Sequence, residues 1–164
     1  MKMRHALLGN LLAVAASSLQ PALAGGSHTV AVSATVTGTC VVNTSSSTLA
    51  FGTLDPASGG SVNATWSGGT FRCTNGTSYT VSSDDGLWES GSGGTNNRMK
   101  LSSATNCSTA TDCIRYTFSS TTGGTGAGMT TDISFAVTGS TAISDYQNAA
   151  AGSYADTVTL TVSP

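Results

Sequence analysis

Few side chains in this sequence are equipped for chemistry. Serine is abundant, but a serine nucleophile needs an imidazole base. Beyond His5 in the basic N-terminal head, the chain offers only His28. Asp84, Asp85 and Glu89 place three carboxylates close together, the raw material of acid/base hydrolysis of a glycosidic bond. They stand among glycines and serines, where the plainer reading is a solvated acidic loop. Calcium at that loop has no EF-hand spacing behind it. Gly91-Ser92-Gly93-Gly94 lacks the Lys-Ser/Thr that would make a phosphate cradle. Trp66 and Trp88 can stack on sugar rings or pack in a core. No catalytic residue and no cofactor are expected.

The cysteines are Cys40, Cys73, Cys107 and Cys113. No CxxC spacing exists and His28 is the one imidazole near them, so a zinc site lacks ligands and no metal is expected. An even number of cysteines in an exported chain points to disulfides, with three connectivities open. Cys40–Cys73 with Cys107–Cys113 is preferred, because the second pair closes a short hairpin-like excursion.

Export is read from the start of the chain. Lys2, Arg4 and His5 form a basic head, Ala6 to Ala16 is mostly apolar, and Ala22-Leu23-Ala24 is a small-x-small cleavage pattern. The apolar stretch is too short to span a bilayer, and nothing later is long and apolar enough. Residues 1–24 are therefore expected to be a signal peptide, removed to leave a mature chain beginning at Gly25, with no direct membrane insertion.

The remaining 140 residues suit one domain. They hold 27 Thr and 23 Ser but only Arg72, Arg98, Lys100 and Arg115 as basic side chains, against eight acidic ones, a net charge of −4. Nucleic acid and anionic membrane are poor partners for such a surface. Abundant Thr and Val favour β-structure.

Short strands with turns between them are expected. Leu49 to Leu54 is extended and ends at Asp55-Pro56 and Ser58-Gly59-Gly60. Ser61 to Cys73 is a strand, or a pair broken at Gly68-Gly69. After the Asn75-Gly76 turn, Tyr79 to Val81 resumes β-structure. Asp84 to Asn97 reads as loop. Arg98–Ser102 and Ile114–Ser119 flank the small cysteine loop, and Ser120 to Gly128 reads as loop. Ile133 to Val137 alternates; Ala142 to Gly152 is irregular with room for a helical turn. The most regular alternation closes the chain, with Val158, Leu160 and Val162 on one face and threonines on the other. The fold class is all-β, a sandwich.

One element has no turn tying it to a partner. In Thr29 to Thr37, Val30, Val32, Ala34 and Val36 share one face of an extended chain. This N-terminal arm, residues 25–39, can form the first strand of its own sandwich or complete another molecule's. Extended, it reaches about 50 Å.

Several stretches resemble the spore coat protein U family, which includes pilins of the archaic chaperone–usher pathway. They are the arm leading to Cys40, Leu49-Ala50-Phe51-Gly52-Thr53-Leu54-Asp55-Pro56, and Cys73 with Gly76, Tyr79 and Val81. Arg98-Met99, Tyr116 and the run from Ala151 to Val162 complete the set.

The resemblance implies an incomplete immunoglobulin-like β-sandwich, residues 40–164, completed by donor-strand exchange. Val30, Val32, Ala34 and Val36 would be donated to a neighbour, and Val158, Leu160 and Val162 would line the acceptor groove. A periplasmic chaperone, an outer-membrane usher and identical or homologous subunits are the implied partners. The implied place is a pilus on the cell surface, serving adhesion and biofilm formation. The alternatives are a tip adhesin or carbohydrate-binding module using Trp66 or Trp88, and a spore or cyst coat protein of the same fold.

Overall fold

The computed structural model describes residues 25–88 and 97–164. The expected leader, Glu89 and the glycine run from Gly91 to Gly94 lie outside the described residues. The chain divides between Thr35 and Val36. In the first unit, residues 25–35 belong to no strand or helix, and Val30 and Val32 are exposed.

The regular structure of the second unit is almost wholly short antiparallel strands. In chain order they are β1 (Cys40–Val42), β2 (Leu49–Ala50), β3 (Val62–Asn63), β4 (Thr65–Trp66), β5 (Thr70–Cys73), β6 (Ser78–Ser83) and β7 (Asn97–Leu101). There follow β8 (Cys113–Ser119), β9 (Gly123–Thr125), β10 (Ile133–Ser134), β11 (Thr138–Thr141), the single turn α1 (Ile143–Tyr146), β12 (Tyr154–Ala155) and β13 (Leu160–Ser163). They pair as β12-β7-β8-β11-β3, β1-β5-β10, β13-β6-β9 and β2-β4. This layout is consistent with an immunoglobulin-like β-sandwich.

Two-residue alternation builds the core. β5 turns Phe71 and Cys73 inward, β6 turns Tyr79 and Val81 inward, and Phe135 and Val137 meet them. Phe71 lies 4.7 Å from Phe135 and 5.0 Å from Tyr79, ring centre to ring centre, in the tilted and edge-on arrangements aromatic pairs favour. Trp66, Phe118, Leu160 and Val162 pack against this cluster but remain partly uncovered.

The expected segment Ser61 to Cys73 is three strands. It breaks at Ser67 to Gly69, where Gly68 has φ +93°, and each piece pairs elsewhere: β3 with β11, β4 with β2, β5 with β1 and β10.

Two expectations need correction. The stretch from Ser120 to Gly128 is not all loop, because β9 pairs with β6 there, Tyr79 opposite Gly124. The glycines that suggest a loop are needed for close approach: a Cβ on Gly124 would stand 2.6 Å from the Tyr79 hydroxyl, and one on Gly123 2.7 Å from the Tyr79 carbonyl. The alternation from Ile133 also runs further than Val137. It continues through buried Gly139 and Thr141 as β11, a polar and glycine-containing strand with no apolar signature.

Candidate functional site

The last stretch of the chain carries out its alternation in full. Asp156, Val158, Leu160 and Val162 are half-buried, while Thr157, Thr159 and Thr161 face solvent. β13 pairs with β6 along one edge, Val162 opposite Val81. Among the described residues its other edge is hydrogen-bonded to no strand. Thr157 and Val158 form no backbone–backbone hydrogen bond among those residues either. An open edge beside a core is a template for another strand.

Facing that edge is the chain from Val42 to Phe51. It is tied to the body at both ends. The amides of Asn43 and Thr44 donate to the Thr70 carbonyl (2.9 and 3.3 Å), and the Ser67 amide donates to the Thr48 carbonyl (2.9 Å). Between this wall and the wall from Tyr154 to Leu160 lies an open cavity of about 630 Å³. Trp66, Met99, Tyr116, Phe118, Phe135 and Val137 line it from the sandwich interior. A second cavity of about 660 Å³ reaches Leu54, Pro56, Ile114 and Tyr146. The two share Leu49, Ala50, Phe51, Met99 and Tyr154, so they adjoin, and the first is the trough beside the open edge.

Between its two short ladders, β12 on β7 and β13 on β6, the C-terminal wall is positioned by carboxylates. The Thr159 amide donates to Asp84 Oδ1 (2.8 Å) and the Asp84 amide returns a bond to the Thr159 carbonyl (3.0 Å). Partial burial works against the Asp84 carboxylate, but the amides of Thr159 and Gly86 hold it below the usual carboxylate range. Asp156 accepts from the Tyr116 hydroxyl (2.6 Å) and from the Leu87 and Thr157 amides (both 2.8 Å). Burial, with the bond to Asp156, pushes the Tyr116 phenol well above its ordinary range. Tyr116 therefore stays protonated and donating at any physiological pH.

Of the residues expected to form a groove, Val158 and Leu160 line the trough, and Val162 lies beyond it against the core. Val30, Val32 and Ala34 sit in the first unit and Val36 opens the second, all exposed and none in a strand. Trp66 is committed to the trough, its indole N–H donating to the Phe135 carbonyl (3.2 Å). Trp88 is half-buried with the Lys100 ammonium 4.7 Å above its ring. Asp84, a candidate acid or base, is a structural acceptor. No group of three or more His, Cys, Asp or Glu among the described residues is placed to hold a metal ion.

Both disulfides are present, Cys40–Cys73 and Cys107–Cys113. The first joins directly opposed residues of β1 and β5, so it pins the chain where the arm meets the body. Reading the sequence missed the apolar lining supplied by Phe51, Met99 and Phe118, and the Tyr116–Asp156 bond that sets one wall. Isolated apolar residues on β7, on β8 and just after β2 carry no local signal.

A family model for the Spore Coat Protein U domain matches residues 27–161. The chain belongs to that family. No curated protein matches it. The match begins inside the arm and ends within β13, so the arm is part of the Spore Coat Protein U domain and not an appendage to it. The family is a structural one of pilin or coat type, found at surfaces or in coats. Among the described residues no helix is long and apolar enough to cross a membrane.

Proposed function

We propose that this protein is a structural subunit of a chaperone–usher surface pilus. Each subunit donates residues 29–36 to the trough of the next and receives the arm of another. The observation that carries this reading is the trough itself: an open cleft floored by Trp66, Phe118, Phe135 and Val137 beside the unpaired edge of the last strand, in a chain whose first strand-like segment belongs to no sheet. Val30, Val32, Ala34 and Val36 supply apolar knobs at the two-residue spacing a strand needs there. Burying the three valines contributes roughly 5–9 kcal/mol before ordering costs, at about 1.5–3 kcal/mol each. Main-chain bonds along the open edge add register. A donor on one part of the subunit and an acceptor on another make a head-to-tail contact, which propagates as a filament instead of closing on itself.

On this reading a periplasmic chaperone covers the trough before assembly, an outer-membrane usher exchanges it for the next arm, and the leader 1–24 is removed on export. The fibre serves adhesion and biofilm formation. The test is Val32→Arg, which places a charge where an apolar knob must be buried. Wild-type material is expected to run as heat-resistant ladders on gels and the variant as monomer; equal ladders from both would overturn the proposal.

A further inference from the structure

The arm does not become free at Cys40. Three residues before the disulfide, the chain is held by the turn that follows β5. The Thr74 amide donates to the Thr39 carbonyl (2.9 Å), and the Thr39 amide donates to Thr74 Oγ1 (3.1 Å). The Thr74 hydroxyl lies within donating distance of the carbonyls of Thr39 (3.3 Å) and Thr37 (3.4 Å). One side chain thus grips the backbone on both sides of Gly38.

Gly38 itself lies flat on Thr77. A Cβ there would stand 2.8 Å from Thr77 Oγ1 and 3.0 Å from Thr77 Cγ2. Thr77 is fixed in turn, its amide donating to the Thr74 carbonyl (3.0 Å) and its carbonyl accepting from Gly126 (2.7 Å). Because the disulfide already restrains Cys40, closing these bonds orders few additional torsions. Beyond Thr37 the grip ends, and Val36 is 81% exposed.

We infer that Thr74 is a positioning residue for strand donation: its hydroxyl clasps the root of the arm, so the hinge between joined subunits falls at Val36–Thr37 and not at the disulfide. The inference rests on the pilin reading for its consequence, though the clasp itself belongs to the single subunit. It shortens the free arm to residues 25–36, a reach of about 40 Å at 3.3 Å per residue. It also sets the direction from which the arm leaves the body, and with it the tilt between neighbours in a fibre.

The test compares Thr74→Val with Thr74→Ser by amide hydrogen exchange on the secreted chain, and by electron microscopy of the fibres it forms. In wild type and Thr74→Ser the Thr39 amide is expected to be protected. In Thr74→Val its exchange is expected to quicken about tenfold or more, with the core amides of Phe71 and Val81 unchanged. Thr74→Val fibres are expected to form but to show a broader spread of subunit-to-subunit tilt, which Thr74→Ser restores. Equal Thr39 exchange in wild type and Thr74→Val, or an unchanged tilt distribution, would overturn the inference. Absence of fibres from the wild-type chain would instead sink the pilin reading, and the Thr39 exchange would still decide whether the clasp exists.

Discussion

Two stretches of this chain carry the same pattern and meet opposite fates. Residues 30–36 and 156–162 both alternate apolar or buried positions with small or polar ones. The second has every other side chain half-buried; the first is exposed throughout. The difference lies in what each stretch is fastened to. The C-terminal stretch is fixed by β6, by Asp84 at Thr159 and by Asp156 at Tyr116 and Leu87. The N-terminal stretch precedes a threonine clasp and a disulfide and belongs to no ladder. Alternation specifies a face to bury; only a partner edge decides where it is buried.

The contrast can be broken hardest at the disulfide. Replacing both Cys40 and Cys73 by Ser is expected to cost the isolated subunit about 2–5 kcal/mol, as is usual for a small disulfide-bonded domain. Denaturant unfolding would read it, and an unchanged midpoint would mean that β1 holds to β5 without covalent help. Next comes the C-terminal wall. Leu160→Ala is expected to lose about 2 kcal/mol, the low end for a leucine, because its side chain is only half-buried. Tyr116→Phe is expected to lose about 1–2 kcal/mol by depriving Asp156 of a donor. A loss much below that would show the wall standing without its carboxylate.

Acid gives a smaller and graded effect. The hydrogen bond from Arg72 (Nε to Oδ1 2.6 Å) holds Asp132 below the usual carboxylate range, and Asp84 is held low as well. A carboxyl whose folded pKa lies below its unfolded value of about 3.9 stabilises the fold above that pH. Its contribution fades as pH falls through the folded value. Stability should therefore decline below about pH 4, and Asp132→Asn should flatten that decline. The smallest effect expected is from the arm: deleting residues 25–35 should leave the unfolding midpoint of the isolated subunit within about 1 °C, because these residues add no ladder. A fall comparable to Leu160→Ala would erase the contrast between the two ends.

Much of the architecture was legible because it is local. The extended character of β5 and β6 follows from residue type, and the inward face of the closing stretch from alternation at Val158, Leu160 and Val162. The turn after Asp55 and the break at Gly68 follow from residue type, and of three open cysteine pairings the short Cys107–Cys113 loop favours the one present. What escaped depends on contacts distant in sequence. β9 is unreadable because Gly123 and Gly124 are there to accommodate Tyr79. β11 is unreadable because Gly139 and Thr141 are buried without being apolar. The trough could be expected along one wall, from Val158 to Val162, and its far wall and lining could not. Trp66 illustrates the limit: the side chain that suggests a sugar platform is part of the groove.

The most direct measurement is a high-resolution electron microscopy map of assembled fibres. The account predicts density for residues 29–36 of one subunit running between the Val42–Phe51 and Tyr154–Leu160 walls of the next, with Val32 turned into the trough. Density showing that segment packed into the trough of its own subunit would contradict it.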